Sequence, residues 1–355
     1  MVRRRNTWIF FGIFLAILIS TTFTPDLRLN AELAAARREG MWATPEEIGR
    51  DLPKIPAGEN AMDSIKPLVE LEREQRKEVK YFPPVYELGL AIRDVLNGKA
   101  TEEETMTVRG WYVRNPEMAE QWREVSEIPG YSSGTDWSKG SGRIWESFRL
   151  RYGVERLLTA AVLGFDSRKN LIAAARLGAF PRREPGLISQ SLSYPYAEQM
   201  LKLAKRLGIV REVDAAMGPA PSLRQAYRGL MADEVDAMEQ IRRPEARNRN
   251  RGPQVTLEQR IRQLAPFAAG AKIQVVGRWR QLWKLLPADP TDYMRAADVL
   301  DREIPKIDAD IYAYSSLMDP LVDFHSGYKP GDGLRTIGRI EALRKSYRAG
   351  ASPAP

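Results

Sequence analysis

The stretch that decides the fold is RIWESFRLRYGVERLLTAAVLGFDSRKNLIAAARLGAF, residues 143–180. Apolar residues recur in it three and four positions apart, the spacing that places them on one face of a helix: Ile144, Phe148, Leu150, Val154, Leu157, Leu158, Ala161 and Val162. Gly164 ends this helix, and Asp166 or Ser167 can cap a second helix that carries Leu171 and Leu177. The stretch therefore predicts two helices joined by a short turn, the unit of an antiparallel helical array.

The helical period continues on both sides of this hairpin. Residues 187–207 predict a third helix that Pro195 should bend. Further along, residues 291–300 and 305–323 predict two separate helices. A short strand at residues 273–276 would need a partner strand, and none is evident. The sequence therefore predicts an all-α chain built as an antiparallel, tetratricopeptide-like or α-superhelical array of hairpins.

The N-terminus predicts a membrane anchor. Three arginines, Arg3, Arg4 and Arg5, precede the apolar run WIFFGIFLAILI at 8–19, which continues weakly to Phe23. Such a pattern is typical of a signal anchor or a cleaved signal peptide. No Ala-x-Ala-like cleavage site follows the run, so the uncleaved anchor is favoured over the cleaved peptide. The positive-inside rule then places the N-terminus in the cytoplasm and the bulk of the chain outside the bacterial cytoplasmic membrane, with a single pass.

Composition divides the chain into segments, whose boundaries are predicted by turns, linkers and changes in periodicity. They are a cytoplasmic tip and anchor (1–28), juxtamembrane and N-terminal helices (29–127), a Gly/Ser loop (128–142), a central helical core (143–241), a basic linker (242–255), C-terminal helices (256–348) and a disordered tail (349–355).

The residue counts exclude several kinds of site. The chain has no cysteine and one histidine, so thiol catalysis, disulfides, zinc fingers and paired-histidine metal sites are excluded. Lys and Arg number 54 against 46 Asp and Glu, a net charge of +8. We expect no metal and no cofactor. Nucleic acid is not an expected partner, because no binding module is recognisable and the anchor would export the chain.

Several short segments together resemble a family of uncharacterised bacterial proteins with one N-terminal anchor and an all-helical exported domain. The matching segments are AELA at 31–34, TPEE at 44–47, ENA at 59–61, DW at 136–137, EPGLISQ at 184–190, GFD at 164–166 and IEALRKSYR at 340–348. The resemblance implies a tetratricopeptide-like hairpin in the middle of the chain. It implies no activity and no catalytic residue.

Candidate catalytic residues are few, and each has a structural interpretation beside the functional one. His325 could act as a general base with Asp323 or Asp319, but a lone histidine near a helix end is more often a capping or surface residue. Carboxylates at 102–104, or Asp308 with Asp310, could hydrolyse glycosides, although acidic helix starts are common. Ser189 and Ser193 lack the Gly-x-Ser-x-Gly setting of a nucleophile. The tryptophans could line a sugar groove or pack in the core, and the core is favoured: Trp111, Trp122, Trp137, Trp145, Trp279 and Trp283.

The basic linker is the one candidate binding site. It holds five arginines against one glutamate, which could contact an anionic envelope polymer or lipid: Arg242, Arg243, Arg247, Arg249 and Arg251. A solvated loop between two helical blocks is the structural alternative. The function that we expect is a membrane-anchored, non-catalytic scaffold for a protein or envelope component. The alternative is an exported, carboxylate-dependent hydrolase of cell-wall or polysaccharide material.

Overall fold

The computed structural model describes residues 27–52, 54–56, 58–78, 85–133, 145–184, 194–224, 227–228, 265–315 and 330–350. The described helices, in chain order, are α1 (residues 27–38), α2 (Pro45–Asp51), α3 (Ala61–Glu78), α4 (Val85–Asn97), α5 (Glu102–Arg114), α6 (Pro116–Glu127), α7 (Trp145–Val162), α8 (Ser167–Ala179), α9 (Ala197–Leu207), α10 (Val210–Met217), α11 (Ala265–Leu285), α12 (Tyr293–Ser315) and α13 (Pro330–Gly350). Between α8 and α9, Phe180–Arg183 form a 3₁₀ turn. The described residues contain no β-strand, which confirms the all-α prediction for this part of the chain.

The hairpin of α7 and α8 lies at the centre of the fold. α7 packs against α3, α4 and α6, while α8 packs against α6, α9 and α10. Gly164 has a φ of +89°, a left-handed conformation that glycine adopts without strain, and it turns the chain between the two helices. Leu157, Leu158 and Leu171 are fully buried, so the apolar face predicted for this hairpin is its core face at these positions. Val162, which was assigned to the same face, is 41% exposed, so the prediction is wrong there.

The N-terminal helices begin where the sequence carries strong start signals. Thr101 caps α5 through a reciprocal pair of hydrogen bonds with Glu104, and Pro116 opens α6 directly after α5 ends. The loop after α6 returns to the start of α3, where the Asn60 side chain bonds both the N–H and the carbonyl of Ser132. This contact ties the described part of the predicted Gly/Ser loop to the N-terminal helices.

The C-terminal helices join the same core. α12 packs on α11 and α13, and α13 also packs on α9 and α10. One continuous hydrophobic cluster extends from Ala36 in α1 to Ile340 in α13. The segments predicted from composition therefore share one core in the described part of the chain.

Several predicted boundaries are wrong. Pro195 lies in the turn before α9 and does not bend a helix, because the described helix begins at Ala197. The helical period also predicts a helix over residues 219–241, but residues 219–222 are not helical. Residues 223, 224, 227 and 228 are helical, and the rest of that span lies outside the described residues. α12 continues through Pro305, where two helices were predicted. The possible strand at 273–276 lies within α11. α13 runs to Gly350, two residues into the predicted tail.

The predicted anchor lies almost entirely outside the described residues, which begin at residue 27. Among the helices that are described, none is both long enough and apolar enough to cross a membrane.

Candidate functional site

Most of the residues singled out from the sequence as candidate sites lie outside the described part of the chain. These are the five linker arginines, Arg242, Arg243, Arg247, Arg249 and Arg251, together with His325, Ser189, Ser193 and the side chains of Asp308 and Asp310. Glu102 and Glu103 are exposed at the start of α5, and Glu104 takes part in the cap, as expected for an acidic helix start. The described residues contain no group of His, Cys, Asp or Glu that could hold a metal ion.

The tryptophans that the structure describes belong to the core. Trp111, Trp122, Trp279 and Trp283 are all buried, so the core interpretation is confirmed for these four. Trp279 and Trp283 both contact the ring of Tyr227. The side chains of Trp137 and Trp145 lie outside the described residues.

The most unusual feature of the core is a pair of buried arginines that bind the end of α10, which we call the arginine junction. Arg182 donates through Nη1 to the carbonyls of Met217 (2.8 Å) and Pro219 (3.1 Å). Arg344, on α13, donates through Nη2 to the carbonyl of Gly218 (2.6 Å). A helix leaves its last carbonyls without intrahelical partners and carries partial negative charge at its C-terminus, so two cations fit there. The junction therefore caps α10 and joins it to α13 and to the turn after α8.

Acidic partners balance the charge of the arginine junction. Arg344, only 2% exposed, bonds the carboxylates of Asp214 (2.6 Å) and Glu341 (2.8 Å). Burial acts to lower the pKa of Arg344, but Glu341 and Asp214 outweigh this effect and the pKa is raised. Both carboxylates pair with Arg344, and Asp214 also contacts the exposed Arg348, so the acidic groups of the junction are engaged in structural ion pairs.

The buried positive charge of Arg182 is stabilised in a different way. Its guanidinium stacks on the ring of Tyr194, 4.5 Å from the centroid, and among the described residues no carboxylate pairs with it. Burial lowers the pKa of Arg182 and raises that of Tyr194, whose hydroxyl hydrogen-bonds Glu341 (3.1 Å). Within the described part of the chain its Nε has no hydrogen-bond partner, which is a cost of burying this side chain. These contacts connect the helices, and they give Arg182 a structural role rather than a chemical one.

Two buried glutamates bear on the hydrolase alternative. Glu155 in α7 accepts hydrogen bonds from Arg151 (2.8 Å) and from the Tyr196 hydroxyl, and the bond to Glu155 adds to burial in raising the pKa of Tyr196 to about 12. Glu184 accepts from the backbone N–H of Ser133 (2.7 Å), and burial raises its pKa although this bond opposes the rise. Both carboxylates make contacts between segments that are distant in sequence, so their role is structural.

The segment that follows the predicted anchor is fixed to the C-terminal half of the molecule by a second arginine site, which we call the α1 clamp. Arg280 of α11 holds the Glu39 carboxylate with two nitrogens, at 2.6 and 3.1 Å, and also bonds Glu32. Lys284, one turn further along α11, lies 3.2 Å from Glu39. The bond from Arg280 lowers the pKa of Glu39. One turn of α11 therefore holds both the middle of α1 and the residue directly after it, about 240 residues away in sequence.

A third arginine secures the chain directly after α1. Arg228 donates to the carbonyl of Gly40 (2.7 Å) and its guanidinium lies over the ring of Trp42, 5.3 Å from the centroid. Trp42 in turn donates to Asp51 in α2 (2.8 Å). The segment 32–51 is thus held by contacts with α11, with Arg228 and between its own residues.

Sequence reasoning missed both arginine sites. Arg182, Arg280 and Arg344 look like ordinary solvated charges, because nothing local marks a basic residue whose main hydrogen-bond partners are 35 or more residues away. For Arg344 a weak signal exists, since Glu341 precedes it by one helical turn.

Comparisons with family models, with curated proteins and with solved structures found no match to this chain. The family resemblance drawn from the short sequence segments remains a prediction.

Proposed function

We propose that the protein is a membrane-anchored, exported scaffold, attached by its N-terminal apolar segment and carrying its helices outside the cytoplasmic membrane. The observation that carries this proposal is the α1 clamp. The chain directly behind the apolar run is bound to α11 by Arg280 and to the body by Arg228. An anchored protein that holds a partner at the membrane needs a firm connection of this kind between its anchor and its body.

The contacts of the buried glutamates favour the scaffold over the hydrolase. General acid–base catalysis needs a carboxyl group within reach of substrate and free to exchange a proton. Glu155 is bound by Arg151 and Tyr196, and Glu184 by the Ser133 N–H, all within the core. The tetratricopeptide-like arrangement belongs to the same proposal, supported by the α7–α8 hairpin with Gly164 at its turn. The linker arginines, Arg242, Arg243, Arg247, Arg249 and Arg251, are proposed to contact an anionic envelope component.

A scaffold also needs an accessible surface, and α5 offers one. Met106 and Val113 are seven residues apart, on one face of α5, and are 61% and 64% exposed. Large apolar side chains at such exposure are natural anchors for a protein partner.

Two experiments test the proposal. The full chain should stay in the membrane fraction after an alkaline carbonate wash, and a chain lacking residues 1–26 should not. A photo-crosslinking residue at Met106 or Val113 should give a discrete product in intact cells, while the same residue at exposed Arg206, on α9, should not. Loss of the full chain to the soluble fraction would contradict the anchor. Identical products at all three positions would contradict the binding surface.

A further inference from the structure

The outward side of α5 carries a regular row of residues, which we call the α5 stripe. Its four members follow one another at spacings of three, four and three positions, which places them along one side of the helix: Glu103, Met106, Gly110 and Val113. The opposite side of α5 is buried in the core, where it places Val108, Trp111 and Tyr112. The α5 stripe therefore points away from the body of the molecule.

Gly110 forms a gap in the α5 stripe between two large apolar side chains. Met106 precedes it by one turn and Val113 follows it by one turn, and these two side chains are 61% and 64% exposed. A Cβ atom added at Gly110 would meet one neighbour within 4 Å among the described residues, Nη2 of Arg114 at 3.8 Å. A gap of this kind is the shape that a large side chain of a second helix fills when two helices pack.

The charges of α5 complement those of a second α5 that runs in the opposite direction. The first turn of the helix is acidic, and its last turn holds Arg114. Glu103 and Arg114 are both exposed and lie three turns apart, on the same side of the helix. In an antiparallel pair, Glu103 of each copy therefore lies beside Arg114 of the other, and the two helix dipoles are opposed. Arg114 already interacts within its own chain, and its five N–H donors allow it to bond a further carboxylate.

The register that pairs these charges also fills the gap. Met106 lies three residues after Glu103, and Gly110 lies four residues before Arg114. When Glu103 faces Arg114 of a second copy, Met106 of each copy is therefore placed over Gly110 of the other. A two-fold axis makes both contacts twice, as in the isologous interfaces of symmetric dimers. One antiparallel register thus satisfies both the charges and the shape of the α5 stripe.

We propose that the α5 stripe is a self-association surface, on which a second copy of this chain docks α5 against α5 in antiparallel register. The inference rests on the proposed function, because it names the partner of the accessible surface of α5. A single pair of helices is a small interface. Attachment of both copies to one membrane raises their effective concentration, so a small interface suffices. The scaffold is then a two-fold symmetric dimer.

Single-cysteine variants test the register, because the chain has no cysteine of its own. In the antiparallel pair Val113 of one copy faces Glu103 of the other, whereas identical positions are about 15 Å apart along the helices. Full-length Glu103→Cys and Val113→Cys chains with different tags are co-expressed, and their membranes are oxidised. The disulfide-linked heterodimer should be at least about fivefold more abundant than either homodimer, since a disulfide needs Cα atoms within about 7 Å. Arg206→Cys, exposed on α9, measures random collision.

A substitution at Gly110 separates association from folding. Gly110→Leu fills the gap and should reduce the heterodimer at least about fivefold, because overpacked contacts are lost. The thermal unfolding of the chain should not be lowered, since the new Cβ meets only the flexible end of Arg114. Gly89→Leu in α4, where a Cβ would meet nothing within 4 Å, is the matched control and should leave the heterodimer unchanged.

The other outcomes would overturn the inference. Val113 homodimers as abundant as the heterodimer would mean that the copies pair in parallel or collide at random. An unchanged heterodimer in the Gly110→Leu background would show that the gap is not part of the contact. Absence of the heterodimer, with a photo-crosslink from Met106 to a different protein, would exclude the second copy and leave the scaffold function standing. Absence of the heterodimer and of every photo-crosslink would remove the binding surface, and both proposals would fail.

Discussion

At Gly153 the backbone of α7 lies directly against the ring of Trp122. A Cβ atom added there would lie 2.3 Å from Cε3 of the ring, which is inside the core and cannot move away. Gly153→Ala should therefore destabilise the protein by about 1–3 kcal/mol, even though alanine is the better helix former. Gly89→Ala in α4, where a Cβ would meet nothing within 4 Å, is the matched control and should stabilise by about 0.5–1 kcal/mol. Urea unfolding of both variants in detergent micelles measures the difference, and a stable Gly153→Ala would contradict this packing.

Leu158 tests the face of α7 that the sequence predicted to be buried. Its side chain has no exposed surface, so Leu158→Ala should lower the free energy of unfolding by about 2–5 kcal/mol through lost burial and a cavity. Val162, one turn later on the same helix, is 41% exposed, and Val162→Ala should change that free energy by no more than about 0.5 kcal/mol. Equal effects of the two substitutions on thermal unfolding would show that Leu158 is not on the buried face of α7.

At the scale of the elements, the arginine junction predicts an unequal effect of two arginines that share one carboxylate. Arg344 and Arg348 of α13 both contact Asp214, but their side chains are 2% and 51% exposed. Arg344→Leu should cost about 3–5 kcal/mol, because it leaves largely buried carboxylates and carbonyls without a cation. Arg348→Leu should cost less than about 1 kcal/mol, as exposed pairs do. Similar losses on chemical unfolding of both variants would contradict the role given to Arg344.

The α1 clamp predicts a dependence on pH. Arg280 lowers the pKa of Glu39 below its ordinary value of 4.5, so the stabilisation is present above pH 4.5 and is lost as the pH falls through the lowered pKa. Arg280→Gln should therefore be less stable than the wild type at pH 7, and the difference should shrink below pH 4.5. Arg206→Gln, an exposed substitution on α9, should show no such convergence. Thermal unfolding across this pH range measures the difference, and a constant gap for Arg280→Gln would rule the clamp out as its cause.

At the scale of the whole molecule, the sequence predicts the helix faces and turns that are determined by nearby residues. The burial of Leu158 and the turn at Gly164 depend on residues within two helical turns, and the structure confirms them. The continuity of α12 through Pro305 was not predictable in this way, because packing on α11 and α13 supports the helix where proline removes a hydrogen bond. The arginine sites were missed because the roles of Arg182 and Arg280 depend on partners brought together only by the fold.

The arrangement of the whole molecule relative to the membrane is the central claim, and the fate of a reporter fused after Pro355 tests it most directly. The account predicts that alkaline phosphatase, which is active only when exported, has activity at this position. A fluorescent protein that matures only in the cytoplasm should stay dark there. Removal of residues 1–26 should reverse both signals, which shows that the apolar segment causes the export. A fluorescent fusion of the full chain without phosphatase activity would place the helices in the cytoplasm and contradict the account.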